Sequence, residues 1–256
     1  MKLTVLGSGT CLPFPNRGNP GYLAQIDNHL LLLDGGSGAL RQVANYGFRY
    51  HEIRHILYTH LHPDHTMDFI PFLFAVKNDY SLEGAFDIKV IAPEGFGDYY
   101  TRLHQVYGQW TDSDRILLDI QECAAGESVD LGFVRLMTGS TKHTEHSIGY
   151  RIEDASGNVL VYSGDTGYSE EFADFALNAD LLILECAVPE REEYDKHLTP
   201  SEAGKMAALA RAETAMFTHF YPIMEQEDIV GTAQQYYQGE IILAQDGMTY
   251  EISKNS

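Results

Sequence analysis

The segment Ile53-Arg54-His55-Ile56-Leu57-Tyr58-Thr59-His60-Leu61-His62-Pro63-Asp64-His65 decides how the chain is read. Its apolar run, Ile56-Leu57-Tyr58, is followed at once by three histidines and an aspartate within six residues. If residues 53–59 form a strand, side chains alternate with period two, and an extended exit sets His60 and His62 on the same side. Pro63 breaks the extended run, and the turn lets Asp64 and His65 face a second point close by. Imidazole is a borderline-soft nitrogen donor suited to zinc and related metals, and carboxylate adds charge and an oxygen donor. One short segment can therefore begin two adjacent metal sites. Solvated surface histidines are the bland alternative, and their density behind a buried strand argues against it.

Five more positions carry the right chemistry close to the ends of predicted strands. His143 lies in Thr141-Lys142-His143-Thr144-Glu145-His146, and Asp165 follows Val159-Leu160-Val161-Tyr162 in Ser163-Gly164-Asp165-Thr166. His219 follows Met216-Phe217-Thr218, Glu185 ends Leu181-Leu182-Ile183-Leu184, and His197 precedes the helix start Thr199-Pro200-Ser201-Glu202. Singly each is weak, since a strand-end aspartate commonly caps a turn. Their repetition matters, because binding residues gather on loops at one edge of a rigid sheet.

Around these residues the pattern alternates strands with helices. Strands are expected at 3–7, 22–26, 30–34, 53–59, 87–92, 116–121, 134–138, 147–153 and 159–163, and again at 181–185, 215–218, 241–244 and 249–252. Helices fit 39–46, 68–81, 94–106, 169–178, 200–211 and 225–236. Each half has strands followed by strand–helix units, which predicts two packed sheets with helices outside, a four-layer sandwich in one domain spanning residues 1–256.

Composition narrows the function. The formal net charge is -20, from 37 acids and 17 bases. Residues 165–202 alone hold eleven acids and two bases. Phosphate-backbone binding relies on Lys and Arg releasing counterions, so a nucleic-acid partner is disfavoured. The longest apolar runs fall well short of the ~18 to 20 residues of a membrane span. Three widely spaced cysteines, Cys11, Cys123 and Cys186, without a Cys-x-x-Cys, fit a reducing compartment. No signal-peptide pattern opens the sequence, and a cytoplasmic location is expected.

Taken in order, Thr59 to His65, a downstream His143, Ser163-Gly164-Asp165-Thr166 and Thr218-His219 resemble the metallo-β-lactamase superfamily, whose fold is an αββα sandwich. The chain is similar more narrowly to its ribonuclease Z-like and phosphodiesterase-like branch. Leu6-Gly7-Ser8-Gly9-Thr10, Leu33-Asp34-Gly35-Gly36, Gly149-Tyr150-Arg151 and His197-Leu198-Thr199 carry that likeness. The resemblance implies that His60, His62 and His143 hold one metal. It implies that Asp64, His65 and His219 hold a second, with Asp165 bridging both. Zinc is expected because histidines dominate, and the bridging carboxylate also admits manganese or iron. Asp64 is implied beside a shared water as its proton acceptor. His197, assigned to no metal, is the expected donor of a proton to the leaving oxygen or of a hydrogen bond to a phosphate oxygen, with helix capping as its structural alternative. His146 is expected either as a partner of a ligand or as a solvated residue. Glu185 is expected either to orient a ligand histidine or to be a buried, hydrogen-bonded glutamate. The patch of His104, Tyr107 and Trp110 reads as core packing before it reads as a lid, and Phe14-Pro15 and Tyr221-Pro222 are expected near the site.

The sequence departs from true ribonuclease Z in one place. The resemblance implies a long arm gripping transfer RNA between the Gly-Tyr-Arg and Gly-Asp-Thr segments, and here residues 149–165 leave room only for a hairpin. The expected activity is hydrolysis of a small phosphodiester, such as a cyclic nucleotide, by one chain or a homodimer. The alternatives are a transfer RNA endoribonuclease, another ester hydrolase, and a non-catalytic metal-binding relative.

Overall fold

Leu30-Leu31-Leu32-Leu33 and Leu181-Leu182-Ile183-Leu184 are apolar at every position, as strands are when both faces are covered. In the computed structural model, which describes residues 1–192 and 194–253, all eight side chains are buried. With strands numbered in chain order, one sheet runs β14 (Thr249–Glu251), β1 (Lys2–Gly7), β2 (Gly21–Ile26), β3 (His29–Leu33), β4 (Ile53–Leu57), β5 (Phe86–Pro93) and β6 (Ile116–Cys123). The other runs β13 (Glu240–Leu243), β12 (Thr214–Thr218), β11 (Leu181–Glu185), β10 (Val159–Tyr162), β9 (Ile148–Asp154), β8 (Val134–Ser140) and β7 (Ser128–Asp130). Both sheets are mixed in the same way. Antiparallel pairing through β14, β1, β2 and β3 gives way to parallel pairing through β3, β4, β5 and β6. Antiparallel β7 to β10 likewise continues into parallel β10 to β13.

Period-two alternation sorts the side chains into layers. Leu3, Val5, Leu31 and Leu33 of the first sheet meet Leu136, Tyr150, Leu160 and Ile183 of the second in a central core. Their neighbours Leu30, Leu32 and Ile56 turn outward onto α1 (Ala39–Asn45), α3 (Phe69–Asn78) and α4 (Phe96–Thr111). Val159, Val161, Leu182 and Phe217 turn the other way onto α5 (Glu170–Phe175), α6 (Pro200–Leu209) and α7 (Ile229–Ala233). The α/β sandwich read from the sequence is the architecture observed. Among the described residues no helix is long and apolar enough to cross a membrane.

Several expectations shift. The strand expected to reach Thr59 ends at Leu57, and Pro63 opens a single-turn helix, α2 (Pro63–Thr66). The helix expected over 225–236 is a 3-10 turn, Pro222–Gln226, followed by the short α7. Asp228 interrupts it, because its side chain accepts a hydrogen bond from Gly231 N and restarts the chain as a new helix. Strand β7 was not anticipated from the sequence, being only three residues long. Gly36 shows why the β3 exit is glycine-rich. A Cβ there would lie 1.8 Å from the Asp64 carbonyl oxygen, so only glycine lets this loop support α2.

Candidate metal centre

The strands that run parallel all end at one edge, and the ligand candidates leave from that edge. His60 and His62 follow β4, Asp64 and His65 sit on α2, Asp165 follows β10 and His219 follows β12. His143 comes from the β8–β9 connection. Ligand atoms of His60, His62, His143 and Asp165 lie within 4.8 Å of one another, as do those of Asp64, His65 and His219. A third overlapping group, Asp165, His197 and His219, joins the two. The structure thus brings together the seven residues read as ligands and His197, with Glu185 behind them.

The geometry has the form of converging donors. His62 Nδ1 is 3.1 Å from His60 Nε2 and 3.1 Å from His143 Nε2. Asp165 Oδ2 stands 3.7 Å from His60 Nε2, 3.6 Å from His143 Nε2 and 3.3 Å from His219 Nε2. Its other oxygen is 3.2 Å from His65 Nε2. One carboxylate therefore faces both groups of histidines. Nitrogen donors about 2.0–2.1 Å from a tetrahedral zinc stand roughly 3.4 Å apart, close to these separations. His65 Nε2 and Asp165 Oδ1 are both buried without a hydrogen-bond partner. Unpartnered buried atoms are costly, and a cation between the two groups would satisfy both. The donor set, imidazole with carboxylate and no thiolate, fits zinc, manganese or iron.

Titration follows burial first. Burial and neighbouring imidazoles hold His60 well below the ordinary histidine range, and burial brings His143 down to about 4. Both are thus neutral, as metal donors must be. Burial also opposes ionisation of Asp165, but His219 and His65 outweigh it and hold the carboxyl well below its usual range.

Partners behind the donors fix their tautomers. His143 Nδ1 donates to the Lys196 carbonyl at 3.1 Å, leaving Nε2 for the site. Asp34, fully buried at the end of β3, accepts from His65 Nδ1 at 2.8 Å, Thr59 N at 2.8 Å, Thr59 Oγ1 at 2.9 Å and Tyr162 Oη at 2.7 Å. Thr59 Oγ1 in turn accepts from His60 Nδ1 at 3.0 Å, so Asp34 orients His65 directly and His60 through one hydroxyl. Sequence reasoning noted Asp34 as a motif residue but gave it no role. Its φ of 52° and the φ of 59° at His219 put two non-glycine residues of the site in the left-handed region, where strain gathers at functional sites.

Glu185 takes the orienting role toward His197. Its Oε1 accepts from His197 Nδ1 at 2.7 Å and Thr166 N at 2.7 Å, and Oε2 from Leu198 N at 3.0 Å. Burial alone would favour neutral His197, yet Glu185 beside it raises its pKa above the ordinary value. His146 lies apart from the site, exposed and paired with Glu94 at 3.1 Å. His104, Tyr107 and Trp110 are not core residues as expected. They ride on α4, where Tyr107 and Trp110 line an open cleft with Met67, Ile70 and Phe74, and Trp110 is 55% exposed. Tyr221 and Pro222 line a cleft beside His197, where Leu12 rather than Phe14 joins them.

Residues 29–220 match the family described as Beta-lactamase superfamily domain. Uncharacterized protein ML1173 of Mycobacterium leprae is 32% identical over 262 residues, covering 98% of this chain and 89% of its own. A ribonuclease Z of Thermobifida fusca is 27% identical, covering 96% of this chain and 93% of its own. That alignment spans 303 positions against 256 residues here, so at least 47 positions of it have no counterpart in this chain. The crystal structure of the metallo-β-lactamase fold protein YhfI from Bacillus subtilis is 25% identical with a TM-score of 0.83, covering 97% of this chain and 98% of that one.

Proposed function

The chain belongs to the β-lactamase superfamily domain family, and from that premise we propose that it hydrolyses small phosphodiesters with the help of two divalent metal ions, zinc first among them. His60, His62 and His143 would hold one ion and Asp64, His65 and His219 the other, with Asp165 shared. When bound, two such ions lower the pKa of a common water from ~15.7 towards 7 and offset charge on the phosphoryl oxygens.

The protein's own groups do the rest. Asp64, partly exposed at the start of α2, accepts the proton that the attacking water loses. His197, held by Glu185 with its Nδ1 occupied, presents Nε2 as the proton donor to the departing oxygen. The raised pKa of His197 keeps that proton available near neutrality. Asp34 and the Lys196 carbonyl keep the histidine rings from turning.

The observation that carries the choice of substrate is the β9–β10 turn. Asp154 closes it by accepting from Ser156 N at 2.9 Å, Asn158 N at 2.9 Å and Asn158 Nδ2 at 2.7 Å. A tight hairpin thus stands where the resemblance to ribonuclease Z implies an RNA-gripping arm. The acidic surface supports the same reading, since 37 acids against 17 bases repel a polyanion that comes within the Debye length, roughly 8 Å at physiological salt. The rival reading is a ribonuclease Z-type nuclease, favoured by the Thermobifida relative. Zinc- and manganese-loaded protein should hydrolyse bis(p-nitrophenyl) phosphate or a cyclic nucleotide and leave precursor transfer RNA intact. Efficient, site-specific removal of a 3′ trailer at physiological salt would overturn the proposal in favour of the nuclease.

A further inference from the structure

His197 closes one side of a cleft of about 520 Å³ whose other walls include Leu12, Val188, Tyr194, Tyr221 and Ile223. That volume suits a small molecule. Leu12 is 48% exposed, Tyr194 53% and Ile223 40%, so three costly apolar surfaces crowd one opening. The rings are ordered. Tyr194 stacks on His197 with centroids 5.3 Å apart and planes at 22°, and His197 stacks on His219 at 5.8 Å and 25°. Tyr221 stands across both, at 80° to His197 and 78° to His219. A row of parallel faces thus leads from solvent to the ligand cluster, with an aromatic wall set square to it.

The rim carries the opposite chemistry. Glu192 lines the cleft, and the adjoining depression holds Glu190, Asp195 and Glu202 against one lysine, Lys205. Arg191, the nearest guanidinium in sequence, is committed to Glu227 at 2.5 Å. An apolar, aromatic slot with an acidic mouth accepts a flat uncharged ring, offers the Glu192 carboxylate to its amino groups and repels a second anion, while Glu190 and Glu202 are held by Ser201 and Thr199 and add only charge.

We infer that this cleft is a subsite for one uncharged planar ring carried by the phosphodiester, a nucleobase or an aryl group, and that it excludes substrates bearing a second phosphate. The inference rests on the phosphodiester reading above, and it names the ester: one ring, one phosphorus.

Binding to the zinc-loaded protein tests it without turnover. Calorimetry with adenosine 5′-monophosphate, ribose 5-phosphate and adenosine 3′,5′-bisphosphate separates ring, phosphate and second phosphate. The monophosphate should bind about tenfold more tightly than ribose 5-phosphate, the scale of one base stacked on an aromatic side chain. The bisphosphate should bind more weakly than the monophosphate. Tyr194→Ala combined with Leu12→Ala, both at exposed positions, should bring the monophosphate down to the level of ribose 5-phosphate. Glu192→Gln should improve the bisphosphate about threefold at low salt, and less at high salt. Equal affinity for monophosphate and ribose 5-phosphate, or no binding of either, overturns the subsite. Failure of the phosphodiester reading has a different signature: the ring preference persists while no phosphodiester is hydrolysed.

Discussion

Replacing Asp34 by asparagine keeps the volume of the side chain and reverses half of its hydrogen bonding. The native carboxylate accepts four hydrogen bonds and donates none. An amide must turn its NH2 either toward Thr59 N–H or toward the cluster of Thr59 Oγ1, His65 Nδ1 and Tyr162 Oη. In the milder orientation one buried N–H meets another donor, and three charge-assisted bonds become neutral ones. An orphaned buried donor costs about 1–3 kcal/mol, and the weakened bonds bring the total to roughly 2–4 kcal/mol. For a chain of this size that lowers Tm by roughly 5–12 °C. The effect on metal is more telling, because His65 loses the partner that fixes its tautomer, and His60 loses the same support through Thr59. A loss of about 10–100-fold in metal affinity follows. Denaturation with chelator present reads the first effect, and zinc competition with a chromophoric chelator reads the second. Unchanged affinity with a Tm shift below about 2 °C would refute the orienting role given to Asp34.

Asp165→Ala should bind one zinc per chain rather than two in plasma emission analysis and lose most turnover, since both groups of histidines face that carboxylate. His197→Ala and Glu185→Gln should lower kcat on a cyclic nucleotide, whose leaving group is an alkoxide, by about 10²–10⁴-fold and about tenfold respectively, with metal content unchanged. Loss of metal from either would reassign that residue to the metal itself. His55 offers a pH test away from the site: burial, then His29 and Lys89, bring its pKa down to about 4. The unfolded chain, with a pKa near 6.5, then binds more protons than the fold between pH 6.5 and 4. Stability is full above that window and falls as pH drops through it, by about 1–3 kcal/mol after allowance for partial exposure. His55→Phe should flatten this slope in Tm against pH.

Much of the site was readable because each donor follows a run of strand residues, and strand exits point one way when the strands are parallel. His60 to His65 announce themselves by local density alone. Asp34 could not be found so, since its partners lie 25, 31 and 128 residues away and share nothing with it in sequence. For Glu185 the sequence leaves two roles open, because burial by itself does not say which ring a carboxylate will meet. Trp110 departs for a simpler reason: apolar character does not ensure burial, and Tyr107 and Trp110 line an open cleft while Gly108 and Thr111 of the same turn are buried. The 225–236 helix failed at Asp228, where a side-chain cap outweighed helical periodicity.

The pairing of β14 with β1, Lys2 opposite Glu251, has a consequence for the growing chain. Strand β1 leaves the ribosome roughly 240 residues before its outer neighbour. At about 5–20 residues per second, one edge of the first sheet stays open for some tens of seconds. An unpaired edge is a template for other chains. Crowded nascent copies are therefore at their most vulnerable to intermolecular association just before the closing strand is made, and truncations that remove residues 249–251 should aggregate even though every ligand candidate is present.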